Sequence, residues 1–239
     1  MSRSAIGLAV ILAAAAAPLL CFPASTERAY SPEEISRWTL VGAGSVQVDG
    51  GEKAVRLSEG KGSKGITLVS RESCGRDLVL RFAAKPLQAK GVNVVLLAVS
   101  DKQAGGLPAL PDKSDGAMDL WTTGSISNYM AAFHTGFHQP NAYIRRNPGS
   151  VLVCEAKDVA TAETWYEVEV GRKGAKLWLK IDGALVCEGE DQAPDPLGAG
   201  AVGFRLRGPG DGTFSCLIRD VRIITDSGDA SRDLCLTTK

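Results

Sequence analysis

The sequence has no surplus of either charge: 27 Lys and Arg balance 27 Asp and Glu. A nucleic-acid reader concentrates basic residues into a field, so no nucleic acid is expected as a partner. Histidine occurs twice, as His134 and His138, and aromatic residues make up 6% of the chain. No P-loop, H-E-x-x-H, EF-hand loop or G-x-S-x-G elbow occurs, which removes the usual signatures of phosphate cradling, zinc proteolysis, calcium loops and serine hydrolysis. No two of the six cysteines are spaced C-x-x-C, so neither a zinc ribbon nor a redox motif is expected. No strand carries paired carboxylates as E-x-D-x-x-E, and the acidic cluster Glu188-Gly189-Glu190-Asp191 follows a hairpin and is expected to be solvated. Glycoside hydrolysis by two carboxylates needs an acid and a base or nucleophile flanking the bond, and no obvious pair is present. Gly198-Ala199-Gly200-Ala201-Val202-Gly203 matches the dinucleotide fingerprint by letter but enters an alternating strand. The fingerprint works only where a helix N-terminus receives the pyrophosphate, so these glycines are read as a turn.

The one long apolar run is at the start. Met1-Ser2-Arg3-Ser4 carries a positive charge, Ala5 to Leu20 is apolar, and Cys21-Phe22-Pro23-Ala24-Ser25 closes it. That layout is a secretory signal peptide over residues 1–25, and the run is short for a membrane span. The expected location is therefore periplasmic or extracellular. Membrane attachment is expected only if Cys21 is lipidated, and Leu20 stands where a lipidation site wants a small residue. Five cysteines remain after the signal, an odd count that leaves at least one unpaired within the chain. Cys154, Cys187 and Cys216 each lie in an apolar strand and read as small core residues slightly more readily than as a bridge.

Beyond the signal the pattern has period two. Ser31-Pro32-Glu33-Glu34 is a capping box that predicts a short helix to about Arg37. Alternating runs follow from Trp38 onward, with Val92 to Val99 continuous enough in apolar residues to be buried on both faces. Asp182-Gly183 between two such runs marks a tight hairpin. A long loop from about Ser100 to Ser127 is rich in Gly, Pro and Asp. Many short strands with turn signals between them, and little helix, predict an all-β fold: one antiparallel two-sheet jelly-roll sandwich over residues 31–225, with a polar tail at 226–239.

The rare residues converge on Tyr129 to Gly149. Gly136 and Pro140 rule out a helix there, so a hairpin is expected, with His134 ending one strand and His138 in the turn. Histidine titrates near neutral pH, which makes His134 and His138 candidate acid/base groups and Tyr143 a second proton-transfer group. Both histidines read equally well as loop residues with hydrogen-bond partners. Ile144 wants the core, so alternation sets Tyr143, Arg145 and Asn147 on the opposite face. Arg145 there could grip a sugar carboxylate with two parallel hydrogen bonds or sit in a weak surface ion pair. Asn141 and Arg146 join the candidate binding set, with Tyr129 and Trp121 as stacking platforms, although Trp121 reads at least as well as a cap on the sandwich edge. A metal site built on the histidines would need a third ligand such as Asp115 or Asp119. Calcium is compatible with the loops but has no sequence signature, so no metal or cofactor is assigned.

An early W-x-x-x-G-x-G, then W-Y-E-V-E-V, K-L-W-L-K-I-D-G-A-L-V, G-A-V-G-F-R-L and F-S-C-L-I-R-D-V-R-I succeed one another. This order resembles the concanavalin A-like lectin/glucanase superfamily, in its bacterial branches with 3-keto-disaccharide hydrolase-like domains. I-R-R-N-P-G-S-V-L-V-C-E-A-K-D further resembles the L-R-K-N-P-G-F-x-L-V-A-x-G-x-D pattern of the YesU-like family, over about residues 36–225. In that comparison the family's His and Ser fall on Met130 and Ala132. The resemblance implies a jelly roll and carbohydrate as partner. Two functions stand side by side: an exported protein acting on a complex polysaccharide, uronate-containing (pectin-like) glycans among the candidates, as a lyase or hydrolase, and a non-catalytic lectin-like module.

Overall fold

The computed structural model describes residues 25–136, 141–157 and 159–226. Strand β1 (Ser25–Tyr30) leads into helix α1 (Pro32–Ile35), then β2 (Thr39–Val41), β3 (Gly44–Asp49), β4 (Ala54–Glu59) and β5 (Ile66–Val69). The long strands β6 (Leu78–Pro86) and β7 (Val92–Asp101) precede helix α2 (Asp119–Thr122). Next come β8 (Ile126–Thr135), β9 (Asn141–Asn147), β10 (Val151–Lys157) and β11 (Tyr166–Lys173). β12 (Lys176–Ile181), β13 (Ala184–Glu190), β14 (Ala201–Arg207) and β15 (Ser215–Asp226) complete the chain. Residues 1–24 and 227–239 lie outside the described residues, and with them all of the expected signal peptide but Ser25, which belongs to β1, and all of the expected tail but Asp226, which ends β15.

The strands form two antiparallel sheets, the sandwich that the period-two pattern predicts. The eight-stranded sheet runs β13-β12-β11-β6-β15-β4-β3, with β1 also paired to β15, and the seven-stranded sheet runs β10-β9-β8-β7-β14-β5-β2. Between them lies one core. Leu78, Leu80, Phe82 and Ala84 of β6 face Val95, Leu97, Phe133 and Phe204 of the other sheet. Phe82 meets Phe133 and Phe204 edge-on at 5.8 and 4.9 Å, and Trp38 stacks on Phe204 at 5.8 Å. Each such ring removes about 150–250 Å² from water, roughly 4–6 kcal/mol at about 25 cal/mol per Å².

The two outer faces differ. On the eight-stranded sheet, Glu169 accepts from Arg81 Nε and Trp178 Nε1 at 2.8 Å and pairs with Lys180 at 3.0 Å, a solvated polar surface. On the seven-stranded sheet a second apolar cluster forms from Val69, Val94, Leu96, Val99, Met130 and Ala132, closed by Trp121. The segment between β7 and β8, which carries α2, lies over this face. That cover is why β7 is buried along its length up to Asp101, as its continuous apolar run requires.

Local chemistry explains most element ends. Ser31 Oγ accepts from Glu34 N at 3.2 Å while Glu34 Oε2 accepts from Ser31 N at 2.8 Å, closing the capping box. The helix ends at Ile35, short of the expected Arg37, once Ile35 has entered the core. Asp182 and Gly183 both have positive φ, 51° and 77°, the conformation a tight two-residue hairpin needs. Between β2 and β3 the chain passes from one sheet to the other at Gly42, whose φ is 102° and where a Cβ would lie 2.3 Å from the Gly65 carbonyl. Strand β1 precedes the expected start of the domain. Its S-T-E-R-A-Y sequence does not alternate because only Tyr30 reaches the core.

Candidate ligand-binding face

Strand register arranges the outer face of the seven-stranded sheet in cross-strand rows. One row reads Thr67, Arg205, Val94, Ala132, Tyr143, Glu155, and the next reads Val69, Gly203, Leu96, Met130, Arg145, Leu152. Thr67, Arg205, Val94 and Ala132 are buried; Tyr143 and Arg145 are half-buried, and Leu152 and Glu155 are exposed. Accessible chemistry is therefore concentrated on β9 and β10, where Asn141 is also half-buried.

Tyr143 packs against the outer apolar cluster, and the Arg145 guanidinium lies over its ring at 4.6 Å. This contact is a cation–π pair. Arg145 Nε is buried with no hydrogen-bond acceptor among the described residues. Burial raises the Tyr143 phenol above its ordinary range, and the positive fields of Arg145 and Arg205 oppose that rise only in part. Tyr143 is thus a neutral phenol at neutral pH, able to donate or accept. Arg205 is held by Thr67 Oγ1 at 3.2 Å and by the carbonyls of Lys64 and Gly116 at 3.1 and 2.9 Å, while its Nε is also without an acceptor. Burial, with Arg207 nearby, pulls its pKa down to about 10, which leaves it charged at neutral pH.

The alternation that sets Tyr143 and Arg145 on one face and Ile144 in the core is present. Other expected site residues are elsewhere. His134 pairs with Asn93 while Ala132 pairs with Val94, so Phe133 is an extra residue in β8. A bulge of this kind re-aims the side chain that follows it. His134 is consequently buried, stacked with Phe214 at 6.3 Å and with Asn93 Nδ2 3.0 Å from its Nδ1. His138, the companion acid/base candidate, lies outside the described residues.

Asn147 is on the expected face but fully buried. Its amide donates to Asn128 Oδ1 at 3.0 Å, and Asn128 Nδ2 donates to the Trp121 carbonyl at 2.9 Å. Asn147 therefore anchors the covering loop instead of presenting an amide to a ligand. Trp121 is wholly buried in the outer cluster and offers no stacking surface, because α2 turns it down onto the sheet.

Arg146 and Tyr129 point to the core side and build an end clamp. Asp191 accepts from Tyr129 Oη at 2.5 Å, from Arg146 Nη1 at 3.0 and 3.2 Å, and from Ala193 N at 3.1 Å. Arg146 Nη2 also donates to the Asp195 carbonyl at 3.0 Å. Arg172 covers the Tyr129 ring at 5.1 Å and donates to the carbonyls of Leu197 and Gly198. These bonds fix residues 191–200 across the end of the sandwich and occupy both expected ligand contacts. Asp191 is buried, contrary to the solvated reading of its cluster, because β13 ends there against Tyr129. Arg205 and Arg172 were not singled out in the sequence. The signal available for the two arginines was a charge inside an otherwise apolar strand.

Of the possible third metal ligands, Asp115 is paired with Lys64 at 2.8 Å. Among the described residues no three His, Cys, Asp or Glu side chains gather as a metal site.

The fold is a two-sheet antiparallel jelly-roll sandwich, and solved galectin-like, carbohydrate-binding-module and glucanase structures share it. The chain superposes on a Bacillus subtilis protein of unknown function with a galectin-like fold at TM-score 0.69 and 17% identity, covering 79% of this chain and 89% of that one. It superposes on the carbohydrate-binding module CBM66 from Bacillus subtilis at TM-score 0.53 and 14% identity, covering 77% and 94%. A prokaryotic β-1,3-1,4-glucanase (lichenase) from a mouse hindgut metagenome gives 0.57 and 13%, covering 84% and 99%. No protein-family description and no curated protein sequence matches the chain.

Proposed function

We propose that the protein binds carbohydrate at the β9–β10 side of the seven-stranded sheet and prefers acidic, uronate-containing oligosaccharides. Arg145 carries this reading: its guanidinium is half-buried over Tyr143, with a buried Nε lacking an acceptor. Because the residue as a whole is half-buried, its outward guanidinium donors would take a ligand carboxylate through two parallel hydrogen bonds while the buried Nε stays against the sheet. Tyr143 adds an apolar ring edge and a neutral hydroxyl, and Asn141 adds an amide. Two structural neighbours, a carbohydrate-binding module and a glucanase, support sugar as the ligand class.

Binding without turnover is the favoured form. His134 is buried against Phe214 and does not reach the face, while Tyr143 keeps its proton at neutral pH, so Tyr143 recognises better than it abstracts protons. In this proposal residues 1–25 direct export, the protein works in the periplasm or outside the cell, and its family place is the YesU-like one.

Calorimetry against polygalacturonate, rhamnogalacturonan fragments and neutral β-glucan tests the reading. Acidic glycans are expected to bind more tightly, and Arg145→Ala to weaken them by about 10- to 150-fold, the loss of one charge-assisted bond of about 1.5–3 kcal/mol. Equal binding of neutral glycans, or an unaffected Arg145→Ala, overturns the site. New ultraviolet absorbance from unsaturated uronate, or release of reducing ends, would replace binding with lyase or hydrolase activity.

A further inference from the structure

We propose that Cys154 and Cys187 are a disulfide-forming pair that joins the edge of one sheet to the edge of the other. Cys154 lies on β10, the outermost strand of the seven-stranded sheet, and Cys187 on β13, the outermost strand of the eight-stranded sheet. Their sulfurs are 3.0 Å apart, closer than unbonded sulfurs ordinarily sit and about 1 Å from bonding distance. The pair is not an accident of two cysteines buried in one core. The strand edges meet there because Gly189 has no side chain: a Cβ on it would lie 2.4 Å from the Val153 carbonyl and 3.2 Å from Cys154 Cβ. Cys74 and Cys216 are buried elsewhere, and burial pushes both thiols up to about 12, so they are inert core groups.

The half-buried Cys154 is the attacking sulfur. The contact with the Cys187 sulfur favours the Cys154 thiolate and lowers its pKa, while the same contact and burial hold Cys187 protonated. With a small disulfide such as oxidised glutathione as oxidant, the Cys154 thiolate attacks one sulfur and expels a glutathione thiolate. Cys187 then gives up its proton and attacks Cys154 Sγ in the mixed disulfide, expelling the second glutathione. Two protein thiols are oxidised and one glutathione disulfide is reduced to two thiols. The bridge would restrain two sheet edges that otherwise present unpaired backbone groups. It would also fix β10 beside Leu152 and Glu155, at the margin of the proposed ligand face.

The test needs no ligand and so stands or falls apart from the carbohydrate reading. Full-length protein is equilibrated with oxidised glutathione, denatured, alkylated with iodoacetamide and digested, with and without prior reduction. Without reductant, the Cys154 and Cys187 peptides are expected as one linked, unlabelled species, with Cys74 and Cys216 labelled. Reduction is expected to separate the linked species and to lower Tm by about 7–15 °C, from closure of a 33-residue separation. Cys154→Ser/Cys187→Ser should melt like reduced wild type and ignore reductant. Labelling of Cys154 or Cys187 without reductant, or a linkage of either to another cysteine, overturns the proposal; the peptide result decides even if the double variant folds poorly.

Discussion

Replacing Asp191 by Ala is the sharpest test of how the end of the sandwich is held. The carboxylate is 2% exposed at its side chain and receives Tyr129 Oη, Arg146 Nη1 and Ala193 N. Removing one partner of a buried ion pair costs about 3–5 kcal/mol, since the other charge is left uncompensated. Arg146 is 21% exposed and keeps the Asp195 carbonyl, so water and that bond relieve part of the loss and the expected cost falls near the lower end, about 3 kcal/mol. At about 2–4 °C per kcal/mol for a fold of this size, Tm should fall by about 6–12 °C. Asp191→Asn retains acceptors for Tyr129 and Ala193 and should lose about half as much. Urea melts of Asp191→Ala, Arg146→Ala and the double variant, followed by circular dichroism, supply the measurement. The double variant should be less destabilised than the sum of the singles by about 1–3 kcal/mol. Additive losses, or an Asp191→Ala cost below about 1 kcal/mol, would mean that the network is solvated and the clamp does not exist.

Trp121→Ala should cost about 3–5 kcal/mol, since the ring is fully buried against the outer face, and should make residues 102–125 open to limited proteolysis; an unchanged digest would show that another contact holds that segment. Tyr129 predicts an alkaline limb: burial and its bond to Asp191 raise the phenol from its ordinary 10.0 to about 12. The folded state then holds the proton more tightly than the unfolded chain, so stability is intact below pH 10 and declines as pH rises toward about 12. Urea midpoints between pH 9 and 12 should show that decline, and Tyr129→Phe should make it shallower without removing it, since burial also raises Tyr30, Tyr143, Cys74 and Cys216.

The fold was legible in the sequence because its physics is local. Alternation in β6, β11 and β12 assigns a face to each residue, and Asp182-Gly183 and the Ser31 capping box declare their own geometry. The site was legible only in part. Tyr143 and Arg145 were placed on the correct face by counting from Ile144, which needs nothing beyond their own strand. His134 was lost to a single extra residue, and a bulge depends on the partner strand, which a period-two count does not see. Asn147 and Asp191 were misjudged for a related reason, each being buried by contacts distant in sequence, and Trp121 is a cap on the sandwich and not a stacking platform. The continuous apolar run of β7 did announce that something covers the outer face, though not which residues.

The pairing of β1 with β15 sets Ser25 opposite Asp226. Any polypeptide attached before the one or after the other therefore departs from the same place, on the sheet remote from Tyr143 and Arg145. A tether at either end would act as a stalk and turn the proposed ligand face outward, and fusing a reporter there should leave that face unobstructed.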